Sequence, residues 1–167
     1  NLKAEIIIDG VLDEREWETA RKIDTFYEVF PYSLKEISDF KTDILIFENP
    51  DGIYIGFKNY QSNESMRSQN HERDDEMSLA DKNGVSIDFD ADGLIAYQFF
   101  VSSGGSIGDA TYTNETEKSN DWDGDWLSAT TIGEDVWFTE FFIPWSIAPM
   151  KKQLGDKRKV KIGFYRM

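Results

Sequence analysis

The chain has 167 residues, of which 40% are hydrophobic and 14% aromatic, and its formal net charge is −14. This length suits one domain, and the apolar content is sufficient for a buried core. The acidic balance argues against binding to nucleic acid or to an anionic membrane surface, because both need clustered lysine and arginine. The absence of cysteine excludes disulfide bonds and thiolate metal sites.

The N-terminal part is predicted to contain a short strand and one helix. Residues 5–9 include three consecutive isoleucines and are a predicted strand. Asp13, with Glu16 three positions later, forms a capping-box pattern that predicts a short helix ending near residue 20. Trp17 lies on one face of this helix and is predicted to be buried.

Three further strands are predicted before residue 61. Residues 26–30 form the first of them, and residues 39–48 and 53–60 form a hairpin. The Asn-Pro-Asp-Gly sequence at 49–52 places proline and glycine where turns use them.

A second hairpin, over residues 84–101, is predicted to be the centre of the fold. Its first strand alternates apolar and polar residues, which is the period of a half-buried strand. Asp92 and Gly93 then predict a tight turn, because glycine accepts a positive φ angle without strain. Residues 94–101 return as a more continuously apolar strand.

Polar segments flank this hairpin on both sides. Residues 61–75 predict a long surface loop that contains the only histidine, His71. We interpret His71 as an ordinary surface residue, because the sequence shows no metal-binding or catalytic partner for it. Residues 102–119 are rich in glycine, serine, threonine and asparagine and predict a loop with a short strand at 110–113.

The C-terminal part predicts one more hairpin and a closing strand. Its strands cover 127–132 and 136–143, a helical turn covers 144–150, and the closing strand covers 160–165. Strand pairs at regular spacing with one short helix predict an all-β, antiparallel β-sandwich.

One acidic cluster matches part of a calcium-binding loop. Asp88, Asp90 and Asp92, followed by a glycine, fit the first half of an EF-hand loop. The twelfth position, where a bidentate glutamate is needed, is Phe99, and the flanks are strands rather than helices. We therefore favour an acidic face of the hairpin over a calcium site.

A second acidic cluster consists of Asp121, Asp123 and Asp125, interleaved with two tryptophans. Three carboxylates this close repel one another unless solvent or a cation screens them, and calcium takes six to eight oxygen ligands from such loops. The loop is therefore either a calcium site or a solvated acidic turn.

Trp122 lies in a polar loop outside any periodic pattern. It either anchors this loop or presents an exposed ring on which the apolar face of a sugar stacks. Tyr112 and Asn114 precede it and are candidates to join such a platform. Trp126 opens a predicted strand and is expected in the core.

Motifs of catalysis are absent from the sequence. No Gly-x-Ser-x-Gly, phosphate-binding loop or His-Glu-x-x-His occurs. Glycosidases need one carboxylic acid with a raised pKa opposite a second carboxylate, and no spacing among the 32 acidic residues singles out such a pair.

Seven short motifs occur in order along the chain: Ile-Asp-Gly-Val-Leu-Asp-Glu at 8–14 with Trp17 and Ala20, Ile-Tyr-Ile-Gly at 53–56, Arg-Asp-Asp at 73–75, Val-Ser-Ile-Asp at 85–88, Ala-Tyr-Gln-Phe at 96–99, Trp-Asp at 122–123 with Trp126, and Trp137, Glu140 and Ile-Pro-Trp at 143–145. Together they resemble the carbohydrate-binding module family 9-like domains. The resemblance implies an immunoglobulin-like β-sandwich that binds sugar, with exposed tryptophans as a clamp and calcium ions as structural braces.

The chain looks most similar to a subgroup in which this domain precedes an outer-membrane β-barrel of unknown function. That resemblance implies a single module, residues 1–167, cut from a longer protein that is periplasmic, outer-membrane associated or secreted, and monomeric as a fragment. The subgroup has an Asn-Pro-x-Gly-like turn where this chain has Ser-Ser-Gly-Gly at 102–105.

The leading hypothesis is non-catalytic carbohydrate binding in a protein linked to polysaccharide breakdown. The residues expected to contact the sugar are Trp122, Tyr112, Asp109, Asn114, Arg73 and Asp74. If calcium binds, we expect it to be structural and its ligands to be Asp121, Asp123 and Asp125. One alternative is a domain without sugar binding that docks to the attached barrel, and a hydrolase is the least favoured alternative.

Overall fold

The computed structural model describes residues 6–29, 36–75, 79–153 and 155–167. These residues form two five-stranded antiparallel sheets, one four-residue helix and one 3-10 turn. The all-β prediction is confirmed. In chain order the elements are α1 Arg15–Glu18, β1 Arg21–Ile23, β2 Thr42–Glu48, β3 Gly52–Tyr60, β4 Lys82–Asp88, β5 Ile95–Ser102, β6 Ile107–Thr113, β7 Glu117–Ser119, β8 Leu127–Ile132, β9 Val136–Pro144, the 3-10 turn Trp145–Ile147 and β10 Lys161–Arg166.

The first compact unit, residues 1–66 with 127–143, contains the sheet of order β1-β2-β3-β9-β8. The predicted turn at 49–52 joins β2 to β3, and the Asn49 side chain accepts hydrogen bonds from the backbone N–H groups of Asp51 and Gly52. Fully buried apolar side chains stabilise this unit by leaving water: Ile44, Ile55, Phe57, Trp137, Phe141 and Ile143.

A buried carboxylate fastens the N-terminal turn to this sheet. Glu140 on β9 has no exposed surface, and its Oε2 accepts hydrogen bonds from the backbone N–H groups of Asp9 and Gly10, at 3.1 Å and 3.0 Å. Gly10 has a φ angle of 82°, and a Cβ there would lie 2.8 Å from the Thr130 backbone carbon. Only glycine therefore fits this close approach.

The second compact unit, residues 67–126 with 144–167, contains the sheet of order β10-β4-β5-β6-β7. The predicted central hairpin is β4 with β5, and it occupies the middle of this sheet. Side chains alternate between two faces. One face carries buried residues such as Ile87 and Phe99, and the other, called the groove face below, carries Gln98 and Phe100.

The connection within the central hairpin is longer than predicted. Strand β4 ends at Asp88 and β5 begins at Ile95, so the predicted two-residue turn at Asp92 and Gly93 is wrong. The Asp88 carboxylate accepts hydrogen bonds from the backbone N–H groups of Asp90 and Gly93, which stabilises the longer loop.

Several other boundaries differ from the predictions. Residues 6–9 are not a strand, and residue 5 lies outside the described residues. Helix α1 has Glu14 as its N-cap without a capping side-chain bond, because that carboxylate accepts hydrogen bonds from the indole of Trp17 and the backbone of Ile7. Trp17 is buried, as predicted.

Strand content was underestimated in one segment and overestimated in another. The described part of 26–30 forms only an isolated bridge from Tyr27 to Ile37, and residue 30 lies outside the described residues. Segment 102–119 contains all of β6 and β7. No helix within the described ranges is long and apolar enough to cross a membrane.

Candidate functional site

A groove of about 320 Å³ lies on the groove face of the second sheet. Three aromatic side chains line it, and each comes from a different strand: Tyr165 from β10, Phe100 from β5 and Tyr112 from β6. The groove therefore depends on strand pairing between segments that are distant in sequence.

Glycine residues allow two of these rings to lie close to the sheet. The register places Gly84 between Tyr165 and Phe100. A Cβ on Gly84 would lie 2.5 Å from Phe100 Cε1, and a Cβ on Gly163 would lie 3.1 Å from the Tyr165 hydroxyl oxygen. The missing side chains make room for the rings against the backbone, which leaves an apolar floor.

Gln98 adds a polar group to this floor. It is 8% exposed, and its Nε2 donates a hydrogen bond to Ser86 Oγ at 3.3 Å. Its Oε1 is buried and has no hydrogen-bond partner in the described part of the chain. Buried polar atoms are normally satisfied, so this oxygen is an acceptor that the described residues leave unused beneath the groove.

Residues 71–75 form one side wall of the groove. The Asp74 backbone N–H donates to the Ile107 carbonyl, and Asp74 Oδ1 accepts from the Asp109 backbone N–H at 2.8 Å. These bonds extend the sheet at the edge of β6 that β7 does not reach. Gly108 permits this approach, because a Cβ there would lie 3.2 Å from Asp74 Oδ1.

His71 belongs to the same wall and is partly exposed. Its side chain is 19% exposed, and Nδ1 lies 3.2 Å from Asp75 Oδ2. Its backbone N–H donates to Ser106 Oγ at 2.7 Å. These contacts hold the wall in place beside the groove.

Asp109 anchors the wall and the loop at residues 121–125, called the aspartate-rich loop, through one oxygen. Its side chain has no exposed surface, and its Oδ2 accepts hydrogen bonds from Arg73 Nη2, Gly124 N and Trp126 Nε1, at 2.8, 3.0 and 2.8 Å. Trp126 is buried, as predicted. Because Oδ2 already accepts these three hydrogen bonds and is buried, Asp109 stabilises the wall and the loop and does not contact a ligand through this oxygen.

Three carboxylates converge around Arg73. Oxygens of Asp74, Asp109 and Asp123 lie within 4.8 Å of one another. Arg73 Nε lies 3.0 Å from Asp123 Oδ1 and 3.8 Å from Asp74 Oδ2, and Asp109 Oδ1 is buried without a hydrogen-bond partner among the described residues. Three carboxylates and one guanidinium leave a formal charge of −2, which a divalent cation would balance.

This group differs from the predicted calcium ligands. Of Asp121, Asp123 and Asp125, only Asp123 belongs to it. Asp121 and Asp125 are exposed, and Asp121 Oδ2 accepts a hydrogen bond from Ser119 Oγ. No local spacing could reveal the observed group, because strand register and the loop at 71–75 bring its members together.

Two aspartates of the first acidic cluster pair with cations of the chain itself. Arg158 Nη1 lies 2.9 Å from Asp90 Oδ1, and Lys151 Nζ pairs with Asp92. The preference for an acidic hairpin face over an EF-hand calcium site stays a prediction.

Trp122 and Tyr112 are not brought together. Trp122 is half-buried, and its ring packs edge-on against two rings of β5. The ring centroids are 4.9 Å apart for Tyr97 and 5.9 Å apart for Phe99. Tyr97 and Phe99 alternate with Gln98 along β5, so they face away from the groove. Asn114 lies in the exposed turn between β6 and β7, with a φ angle of 52°.

Sequence reasoning missed most of the groove residues. Gln98, Phe100 and Tyr165 were treated only as parts of strands. Their common signal is an aromatic or amide residue on the groove face of a strand, opposite a small residue on the next strand: glycine for Phe100 and Tyr165, serine and alanine for Gln98. That signal becomes visible only when the register is known.

The comparisons with known proteins concern the fold. No family model matches the chain, and no curated protein matches it. Among solved structures it is similar to a family 9 carbohydrate-binding module from Caldicellulosiruptor kristjanssonii, determined in complex with glucose and with cellotriose. In both comparisons the identity is 15% and 96% of this chain is covered. The glucose complex has a TM-score of 0.61 with 71% of its chain covered, and the cellotriose complex has a TM-score of 0.56 with 70% of its chain covered.

A proposed carbohydrate-binding protein from Bacteroides uniformis ATCC 8492 is also similar, with a TM-score of 0.68 and 14% identity over 89% of this chain and 72% of that chain. At these identities the likeness shows the fold. The prediction of a β-sandwich like that of family 9 modules is confirmed.

Proposed function

We propose that this chain is a non-catalytic carbohydrate-binding module of the family 9 type and that the groove binds the sugar. The observation that carries the proposal is a groove in which three aromatic side chains lie beside polar side chains such as Gln98 and Lys118. Sugars present apolar C–H faces for aromatic rings and hydroxyl groups for polar atoms, and such mixed grooves are typical ligand sites.

The fold of the structural neighbours supports this choice of ligand class. One neighbour is described as a family 9 module in complex with glucose and with cellotriose. These two sugars are therefore the first probes for this chain. The groove volume of about 320 Å³ lies at the lower end of ordinary small-molecule sites, which suits a short oligosaccharide segment.

The proposal assigns different roles to the residues predicted from the sequence. Tyr112 keeps its role as a sugar platform. Trp122 becomes the anchor of its loop, because its ring packs on Tyr97 and Phe99. Arg73, Asp74 and Asp109 hold the side wall instead of forming the main sugar contacts.

Isothermal titration calorimetry with glucose, cellotriose and a wider panel of neutral oligosaccharides tests the proposal. We expect saturable binding that Tyr112→Ala weakens about fivefold or more, since one stacking contact contributes on the order of 1 kcal/mol. Tyr27→Ala is the matched control, because Tyr27 is 61% exposed and lies in the first unit.

Two results would contradict the assignment. Binding that survives Tyr112→Ala but disappears in a folded Trp122→Ala variant would place the site at Trp122. A folded protein that binds no sugar of the panel would favour the docking role over sugar binding.

Calcium as a structural ion is part of the proposal. Asp74, Asp109 and Asp123 would hold it, because they supply three carboxylates, one of which has a buried oxygen without a partner in the described residues. Oxygen donors of this kind suit calcium. The ion would brace the wall and the aspartate-rich loop, with no part in chemistry.

The proposal has three further parts. The protein lies outside the cytoplasm, it takes part in polysaccharide breakdown, and the module is attached to an outer-membrane barrel. They follow from the sequence resemblance and stay predictions.

A further inference from the structure

We propose that the groove selects acidic oligosaccharides, in which uronate carboxylates meet lysines that flank the aromatic rings. This inference rests on the proposed function and adds the class of sugar. It begins from two lysines of the groove, Lys82 and Lys118.

Each of these lysines is combined with an aromatic ring. Lys82 Nζ lies 5.9 Å from the centroid of the Phe100 ring, and Lys118 Nζ lies 5.8 Å from the centroid of the Tyr112 ring. Both ammonium groups lie over the ring faces, so a pyranose that stacks on either ring takes the place of the lysine, whose flexible stem then lets the ammonium group meet the C6 substituent. A carboxylate in that position forms an ion pair with the ammonium group, whereas a hydroxymethyl group offers only a neutral oxygen.

The two lysine–aromatic pairs lie at different positions along the groove. Phe100 is paired with Gly108 on β6, and Tyr112 is four residues further along the same strand. That separation is about 14 Å at the rise of a β-strand. A single monosaccharide does not span this length, so the arrangement favours an oligosaccharide with more than one charged residue.

The groove lining also carries four carboxylates, Glu72, Asp74, Asp75 and Asp109. Asp74 and Asp109 lie beside Arg73, Asp75 pairs with His71, and Glu72 is exposed, so that solvent screens its charge. The formal charge of −14 repels anions at long range, but this repulsion is screened beyond about 8 Å at physiological ionic strength. Contacts with the two lysines are much shorter than that distance and are screened less.

The test compares pairs of β-1,4-linked glucose oligosaccharides of equal length, one neutral and one oxidised to glucuronate at C6, by calorimetry. The measured quantity is the association constant of the oxidised oligosaccharide divided by that of the neutral oligosaccharide of equal length. We expect a ratio of about ten or more at low ionic strength, which falls as salt is added. The same measurement with oligogalacturonate tests whether another uronate geometry is accepted.

Variants then assign the preference to the lysines. The double variant Lys82→Gln/Lys118→Gln should lower the ratio about tenfold, and Lys82→Arg/Lys118→Arg should keep it above one, because the charge is retained. Lys58→Gln is the matched control: Lys58 lies over the Tyr60 ring at 5.1 Å, in the first unit and outside the groove.

The outcomes separate the two proposals. A ratio near one with clear neutral binding overturns the acidic-sugar inference and leaves the proposed function in place. A high ratio that persists in the folded double glutamine variant also overturns it, because the preference then arises elsewhere. No binding of the neutral, glucuronate or galacturonate oligosaccharides by the folded protein overturns the acidic-sugar inference, and the proposed function falls with it only if the wider neutral panel also fails to bind.

Discussion

The indole N–H of Trp126 donates a hydrogen bond to Asp109 Oδ2 over 2.8 Å, and both side chains are buried. The same oxygen accepts the guanidinium of Arg73 and the backbone N–H of Gly124. One oxygen atom on β6 therefore positions the end of the aspartate-rich loop and the wall of the groove together. The shape of the groove depends on a residue that does not need to touch the ligand.

Replacement of Asp109 should unfold or loosen this part of the molecule. We expect Asp109→Ala to reduce the free energy of unfolding by about 3 kcal/mol, because it leaves a buried indole N–H and a partly buried guanidinium without their acceptor. Asp109→Asn should cost less, since an amide oxygen still accepts hydrogen bonds. Urea unfolding measures both changes. Asp121→Ala is the control at an exposed aspartate and should stay within about 0.5 kcal/mol of the wild type.

Gly124→Ala should displace Trp122. A Cβ at this position would lie 2.6 Å from Trp122 Cη2 and 3.0 Å from Ile147 Cδ1. The nearest atom is the far edge of a ring, so we expect the ring to move, with a shifted tryptophan emission maximum and a stability loss of about 1 kcal/mol. Gly124→Ala should cost little stability when it is made in the Trp122→Ala variant, because the ring it would displace is then absent. If the stability losses of the two single variants simply add in the double variant, the contact between these two positions is contradicted.

The tryptophans show how far the sequence predicts this molecule. Trp17 lies in α1 and Trp126 directly precedes β8, and their burial follows from amphipathic spacing. Trp122 lies in a polar loop whose packing on Tyr97 depends on tertiary contacts, so the sequence left two interpretations open. The all-β class was predictable for the same local reason, because alternation and turn residues mark strands one at a time.

The site was less predictable because it depends on register. Asp74 and Asp109 are 35 positions apart, yet a backbone N–H of one is bonded to the carboxylate of the other. Phe100 lies over Gly84 only because β4 and β5 pair in one particular register. Residue types can be read from a sequence, whereas these neighbours follow from long-range pairing.

Glu140 should make stability depend on pH. Burial raises the pKa of this carboxyl to about 7, while hydrogen bonds from the backbone of Gly10 and Asp9 act in the opposite direction. The folded protein therefore binds this proton more tightly than the unfolded chain does. The contribution of Glu140 is complete below the unfolded pKa and is lost as the pH rises towards 7, with an amplitude of about 3 kcal/mol.

Glu140→Gln should remove this dependence. An amide is neutral at every pH, and its oxygen can still accept the two backbone N–H groups. Urea unfolding of both proteins between pH 5 and pH 8 is the measurement. We expect the wild type to lose stability relative to the variant as the pH rises, and parallel curves would show that Glu140 does not titrate in this range.

Calcium should stabilise the protein through the group around Arg73. At a calcium concentration one hundred times its dissociation constant, binding to the folded state alone adds about 2.7 kcal/mol, and a chelator should reverse the accompanying rise in melting temperature. Asp123→Asn should abolish the rise, because Asp123 belongs to the group and its side chain is 71% exposed, so its removal leaves the core intact. Asp125→Asn is the control outside the group and should keep the rise. If the loop at 121–125 held the ion by itself, both variants would lose it, and a melting temperature insensitive to calcium in the wild type would exclude either site.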